Sequence, residues 1–98
     1  MSELARLLAD WARVEPHRCR PMGEEEDGKG WLGWYSLHWS NGESYAFNVY
    51  GKRYYLGVQS CRAVLAEAIR DKGLTIDMHL SIKELLQNYL NHFDAFSP

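Results

Sequence analysis

The chain has 98 residues, a length that suits one compact domain and leaves no room for a second. Apolar residues make up 46% and charged residues 24%, close to the averages of soluble domains, which excludes a mainly disordered or collagen-like chain. The formal net charge of −2 gives no global attraction to nucleic acid or to an anionic membrane. No apolar run approaches the roughly 20 residues that cross a bilayer, so we expect no membrane contact.

The chain start and the cysteines both indicate a compartment. The first six residues lack the basic head and apolar stretch of a secretory signal. Only Cys19 and Cys61 are present, fewer than disulfide-dependent secreted domains usually carry. Cys61 also falls on the apolar stripe of a predicted helix. We therefore expect a cytoplasmic protein with reduced thiols.

The first thirty residues divide into a predicted helix and a predicted flexible loop. Leu4, Leu7, Leu8 and Trp11 follow the spacing of one helix face, which predicts a helix from residue 2 to residue 14. Prolines and glycines then predict a loop over residues 15–30. That loop contains four adjacent carboxylates, which repel one another and favour a solvated segment. These four residues are Glu24, Glu25, Glu26 and Asp27.

Residues 31–58 carry the pattern of a three-stranded antiparallel meander. Asn41-Gly42 lies between two aromatic-rich runs and is a strong signal for a two-residue hairpin loop. A second reversal is predicted at residues 50–52. With these loops, side chains alternate between two faces. One face carries Trp34, His38, Tyr45, Phe47, Val49, Tyr54 and Leu56, and the other carries Tyr35, Leu37, Trp39, Ala46, Asn48, Arg53 and Tyr55. We expect helices to cover the Phe47 face.

The remaining residues predict two helices with an extended segment between them. The first begins at Ser60 and ends at Gly73. Alternating apolar residues then indicate a short strand over 74–80. Ser81 and Glu84 form a capping box, which predicts the start of the last helix. Its apolar stripe consists of Ile82, Leu85, Leu86, Tyr89, Leu90 and Phe93. The predicted fold is one α+β domain over residues 1–98, with the order α-β-β-β-α-(β)-α.

Catalytic and cofactor patterns are weak throughout the chain. The glycines from Gly28 to Gly33 have the spacing of a dinucleotide-binding fingerprint, but a strand follows them where that motif requires a helix. His17 and Cys19 have no second ligand pair at a zinc-binding spacing. Ser36 lies two residues from His38 on a strand, about 6.6 Å away, too far for a hydrogen bond without help. We expect a non-enzymatic protein without cofactor or metal.

Aromatic residues supply the strongest functional signal, because the chain contains four Trp, six Tyr and three Phe. We predict that Tyr35, Trp39, Arg53 and Tyr55 form an exposed sheet face, since Trp, Tyr and Arg dominate binding hot spots. The acidic residues Glu24, Glu25, Glu26 and Asp27 are predicted to add charge complementarity. A protein partner is the first expectation, and a second copy of the chain is the alternative occupant. In size and mild acidity the chain resembles phage-encoded inhibitors of host nucleases and immunity proteins of bacterial toxins.

Direct nucleic-acid binding is the competing hypothesis. Residues 31–73 carry a net charge of +2, and Arg53 and Asn48 lie among aromatic residues that could stack on bases. The order of one helix, three strands and a helix is also similar to that of double-stranded-RNA-binding domains. No basic run marks the start of the second helix, however, and contact with phosphates needs several cations on one face. Nucleic acid therefore ranks second to a protein partner.

Overall fold

The computed structural model describes residues 3–22, 33–49 and 55–96. Three helices and one three-stranded antiparallel sheet make up this part of the chain, in the strand order β1-β2-β3. In chain order the elements are α1 (Glu3–Val14), β1 (Cys19–Pro21), β2 (Trp34–His38), β3 (Ser44–Asn48), α2 (Tyr55–Asp71) and α3 (Ile82–Phe96). The predicted α+β class is confirmed, as is the order of one helix, three strands and two helices.

Helix α1 forms where its apolar stripe predicts it. Leu7, Leu8 and Trp11 are buried on one side of the helix. The Glu15 N–H donates to the Trp11 carbonyl at 2.7 Å and closes the last turn just before Pro16. The Trp11 ring meets the Tyr89 ring of α3 edge-on, with 6.4 Å between ring centroids. This contact fixes α1 against α3 across the core.

Strand β1 is a correction to the predicted loop over 15–30. Cys19 pairs with Leu37, and Pro21 pairs with Tyr35. The strand has three residues and lies at an edge of the sheet, where a proline without an N–H is tolerated. Such a short strand next to two prolines produces no alternating pattern, which explains why the sequence predicts a loop. Residues 23–30 of that loop lie outside the described residues.

The register of the β2–β3 hairpin is a second correction. Tyr35 pairs with Phe47, one residue away from the predicted pairing with Asn48. The Trp39 N–H donates to the Glu43 carbonyl at 3.0 Å, so the connection between these two residues has three residues. Gly42, the third of them, adopts a φ of 95° and donates its N–H to the Trp39 carbonyl at 3.1 Å. A slip of one residue moves a whole strand to the other face. The predicted faces are therefore wrong: Tyr35 and Leu37 share the buried face with Phe47.

Helix α2 begins at Tyr55, five residues before the predicted start at Ser60. The third predicted strand, which included Tyr55, is wrong. Aromatic residues such as Tyr54 and Tyr55 favour strands, but this preference is weak and does not decide between a strand and a helix. The predicted end is confirmed. Gly73 has a φ of 71° and donates to the Arg70 carbonyl, and the Leu74 N–H donates to the Ile69 carbonyl, a Schellman motif.

The segment between α2 and α3 forms no strand, contrary to the short strand suggested over 74–80. Its carbonyls are held by Arg62, whose Nη1 donates to Met78 at 2.7 Å and to Leu80 at 2.9 Å. The capping box at the start of α3 is confirmed. Glu84 N donates to Ser81 Oγ at 3.2 Å, and Ser81 N donates to Glu84 Oε1 at 3.0 Å.

The core lies between the sheet and the three helices. Helix α1 packs on β1 and α3, and α2 packs on β2, β3 and α3, so the helices cover the face that bears Phe47, as predicted. All six residues of the predicted α3 stripe are buried or packed against the core. Cys19 and Cys61 are buried free thiols, and burial raises the pKa of Cys61 to about 12. Within the described ranges, no helix combines the length and apolar character needed to cross a membrane.

We predict that Gly42→Ala destabilises the domain by about 1 kcal/mol, because a side chain disfavours the left-handed φ at this position. A Cβ there meets nothing within 4 Å, so the backbone conformation alone sets the cost. Gly42→Asn should cost less, since asparagine tolerates this conformation. Urea denaturation measures both values. Equal stabilities for the two variants would contradict the assignment of the cost to backbone strain.

Candidate functional site

The structure places Tyr35 inside the molecule. Its ring is 8% exposed, and its hydroxyl donates to the Ala5 carbonyl at 3.1 Å. Tyr35 therefore holds β2 against α1. The predicted interaction face requires Tyr35 to lie beside the exposed residues of the hairpin, and it does not. The shift of the hairpin register by one residue explains why Tyr35 is on the buried face.

Trp39 and Tyr45 lie together at the end of the β2–β3 hairpin, and we call them the hairpin pair. Their rings meet edge-on at 75°, with 4.9 Å between centroids. Trp39 is half-buried and packs against the core, while Tyr45 is 49% exposed. The Tyr45 ring is thus exposed to solvent on β3, beside a Trp39 ring that packs against the core. Sequence analysis identified Trp39 but assigned Tyr45 to the opposite face.

The other predicted site residues are not brought together with the hairpin pair. Tyr55 is the first residue of α2 and so belongs to a helix, where a strand was predicted. Arg53 and the acidic residues Glu24, Glu25, Glu26 and Asp27 lie outside the described residues. Their predicted contribution to binding stays a prediction.

A buried ionic group that the sequence analysis missed lies between α1, α2 and α3. We call it the Arg18 cluster; its members are Glu15, Arg18, Glu67, Asp71 and Tyr89. Arg18 is buried, and its Nη1 donates to Glu67 Oε1 at 2.6 Å while its Nη2 contacts Asp71. Burial disfavours the charged guanidinium, but the Glu67 hydrogen bond and the nearby carboxylates more than offset it, so the pKa of Arg18 is raised.

The buried side of the cluster is a carboxylate–phenol pair. Glu15 is 3% exposed, and its Oε2 accepts a hydrogen bond from the Tyr89 hydroxyl. Burial and the adjacent Glu15 carboxylate raise the pKa of Tyr89, so the phenol stays protonated and remains a donor. Glu15 Oε1 faces Arg18 Nε at 3.9 Å and His17 Nε2 at 3.5 Å. A buried carboxylate is tolerable here because donors and a cation surround it.

The exposed side of the cluster reaches the hairpin through Glu67. The Ser40 backbone N–H donates to Glu67 Oε1 at 2.9 Å, and Ser40 Oγ donates to Oε2 at 3.0 Å. The Ser40 amide and then the Arg18 guanidinium hold the pKa of Glu67 below its ordinary value of 4.5. Ser40 follows Trp39 directly, so the cluster fixes the backbone beside the hairpin pair.

The outer face of the sheet bears a serine–histidine pair. Ser36 Oγ and His38 Nε2 are 2.9 Å apart, so the prediction that they are out of reach is wrong. The two side chains lean toward each other, so their polar atoms lie closer together than the backbone spacing of the two residues. Burial and then the charge of Arg20 lower the pKa of His38. A hydrolytic triad also requires a carboxylate that orients the histidine, whereas the hydrogen bond described for His38 is the one to Ser36.

The described groups comprise an ionic cluster held within the fold and an exposed aromatic pair on the hairpin. No cluster of three histidine, cysteine or acidic residues suited to a metal occurs within the described ranges. The carboxylates of the Arg18 cluster are occupied by Arg18, Ser40 and Tyr89. These hydrogen bonds hold the cluster together within the fold. The exposed hairpin pair is the feature of this region that remains available to a partner.

Comparison with protein-family models, with curated proteins and with solved structures finds no match to this chain. Function therefore has to be inferred from the chemistry of the surfaces themselves.

Part of the Arg18 cluster left a signal in the sequence. Glu67 and Asp71 are four residues apart, which places both on one face of the predicted helix. Two acids on the partly apolar side of a helix indicate a cation brought from elsewhere in the fold. Arg18 lies between His17 and Arg20 in a predicted loop, and nothing local distinguished it from these two basic residues.

We predict that Arg18→Met lowers the free energy of unfolding by about 3 kcal/mol at pH 7, because it leaves the buried Glu15 carboxylate and the partly buried Glu67 carboxylate without a cation. Arg13→Met is the matched control. Arg13 forms an exposed pair with Asp10, and its loss should cost less than about 1 kcal/mol. Chemical denaturation of both variants tests this, and equal losses would contradict a structural role for the cluster.

The lowered pKa of Glu67 predicts how stability depends on pH. A carboxylate whose pKa is lower in the folded state stabilises that state above its unfolded pKa, near 4.5, and this stabilisation is lost as pH falls through the folded pKa. Glu67→Gln should therefore reduce stability at pH 7 and weaken its decline below about pH 4.5. Urea midpoints between pH 7 and pH 3 measure the effect. The exposed Glu3→Gln variant should follow the wild-type curve.

Proposed function

We propose that the protein is a small non-enzymatic regulator or inhibitor that binds a protein partner through the hairpin pair. The observation that carries this proposal is the exposure of Tyr45, which is 49%, on a strand whose neighbouring turn is fixed by Ser40 and Glu67. Tyrosine and tryptophan dominate binding hot spots because they offer a large contact area at low conformational-entropy cost.

The surroundings of the hairpin pair fit a protein interface. Ser44, Tyr45 and Ala46 are all exposed on β3, which lies at an edge of the described sheet. Asn41 and Glu43 extend the polar border beside the rings, and the Glu43 N–H is held by Asn41 Oδ1 at 2.9 Å. An aromatic centre with a polar rim is the usual anatomy of a protein–protein interface. The proposal extends to an acidic contact from Glu24–Asp27.

The predicted inhibitor role follows from the same surface. A small domain that holds a rigid aromatic anchor and carries a separate acidic run can occupy a site on a larger partner that normally accepts an anion. A nucleic-acid-handling partner fits this chemistry, since carboxylates then stand where phosphates would bind. Arg53 and Tyr55 remain proposed contributors to the interface.

Direct nucleic-acid binding is the second candidate, and it uses the outer sheet face. Arg20 is exposed there, and Trp34 and His38 are half-buried on the same face. An arginine and an aromatic ring on an open sheet can contact a phosphate and a base. A single arginine supplies little counterion release, so the protein partner is the better supported proposal.

Affinity capture from nuclease-treated lysate tests the proposal. Tyr45→Ala should lower retention of one stoichiometric protein by at least about tenfold, as loss of a hot-spot residue worth about 2 kcal/mol implies. Val14→Ala is the matched control, because Val14 is an exposed apolar residue on α1, 37% exposed and away from the hairpin. Equal loss in both variants would contradict the assigned surface.

The same capture separates the two candidates. Binding that disappears with nuclease, weakens steeply with salt and depends on Arg20 more than on Tyr45 would replace the protein partner with nucleic acid. Capture of the chain by itself, lost in Tyr45→Ala, would identify the hairpin pair as a dimer interface. Both outcomes overturn the proposal of a heterologous protein partner.

A further inference from the structure

The hairpin tip, residues 39–45, is held to the body of the protein by the packing of Trp39 and by two hydrogen bonds to one carboxylate. Ser40 directs both its backbone N–H and its hydroxyl to Glu67, one to each carboxylate oxygen. Glu67 Oε1 also accepts the Arg18 hydrogen bond at 2.6 Å. One side chain on α2 therefore joins the turn of the hairpin to a buried guanidinium that belongs to the α1–β1 connection.

The internal hydrogen bonds of the tip make this attachment effective. Trp39 N–H donates to the Glu43 carbonyl at 3.0 Å, and Gly42 N–H donates to the Trp39 carbonyl at 3.1 Å. Asn41 Oδ1 accepts the Glu43 N–H. The turn is consequently a closed unit, so fixing Ser40 fixes its orientation as a whole. Charged acceptors form stronger hydrogen bonds than neutral ones, and the carboxylate of Glu67 receives three of them.

We infer that Glu67 is a positioning residue: it holds the hairpin tip in one orientation and so presents the hairpin pair ready for binding. The inference rests on the proposed function for its biological meaning, but the position of the tip is measurable without any partner. Binding then requires little ordering of Trp39 and Tyr45, and their contact area contributes more fully to affinity.

Asp71 provides a control that the chain itself supplies. Asp71 lies one turn after Glu67 on α2 and contacts the same guanidinium of Arg18. It carries the same charge, and no hydrogen bond joins it to the hairpin among the described contacts. Asp71→Asn therefore removes one charge from the Arg18 cluster and leaves the Ser40 contacts in place. Glu67→Gln removes the same charge and weakens those contacts.

Amide hydrogen exchange, followed by NMR under conditions where both variants are folded, tests the inference. In Glu67→Gln, exchange of the Ser40 amide should accelerate at least about tenfold, because a neutral amide oxygen replaces a charged acceptor. Cross-peaks between the rings of Trp39 and Tyr45 should weaken in the same variant. Asp71→Asn should change neither signal. In each variant, the amides of α3 should exchange only as fast as the change in the global free energy of unfolding accounts for.

Ser40→Ala guards the test against misfolding of Glu67→Gln. This variant removes only the hydroxyl bond to Glu67 Oε2 and keeps the Arg18 contact, and it should accelerate exchange of its own residue-40 amide by a smaller factor. Unchanged exchange at residue 40 in both variants, or an equal increase in Asp71→Asn, would overturn the positioning role. Failure of wild-type chain to capture a protein would instead contradict the proposed function, so the two failures are distinguishable.

Discussion

The buried guanidinium of Arg18 is the interaction on which the arrangement of the molecule depends. Its hydrogen bonds reach residues 49 and 53 positions further along the chain. Through Glu67 it is connected to the hairpin turn, and beside it Glu15 bonds to Tyr89 of α3. Removing the Arg18 charge leaves the buried Glu15 carboxylate and the partly buried Glu67 carboxylate without their cation. The cluster therefore favours one packing of helices and sheet over near alternatives, in a domain whose small core gives limited stability.

The division of the sheet into two faces follows from the hairpin register. With Gly42 closing a three-residue connection, Tyr35 and Phe47 come to lie opposite each other and both enter the core. Tyr45 belongs to the same face but lies at its end, where its neighbour is Trp39. The outer face carries Trp34 beside smaller and polar residues, and Ser36 and His38 share a hydrogen bond there. One glycine conformation thus decides which aromatic residues build the core and which stand in solvent.

Local signals predicted the helices well and the sheet poorly, for physical reasons. The stripe of α1, the stop at Gly73 and the capping box at Ser81 depend on residues within a few positions of one another. A hairpin register depends on whether the turn has two or three residues, and Asn41-Gly42 is compatible with both. Of the residues in the predicted interface, Trp39 is partly exposed and Tyr35 is buried. The Arg18 cluster joins distant segments, so no local pattern announces it.

In the proposed function, the hairpin pair contributes through its rigidity as well as through its exposure. An aromatic residue on a loose loop must be ordered when a partner binds, and this ordering opposes association. Tyr45 stands on a strand, its ring already rests on Trp39, and the turn between them is tied to α2 through Ser40. The two rings and the turn between them are therefore already ordered in the folded protein, and the Arg18 cluster maintains this order. A surface with these properties fits the proposed binding role, since the two aromatic rings already rest against each other in the absence of a partner.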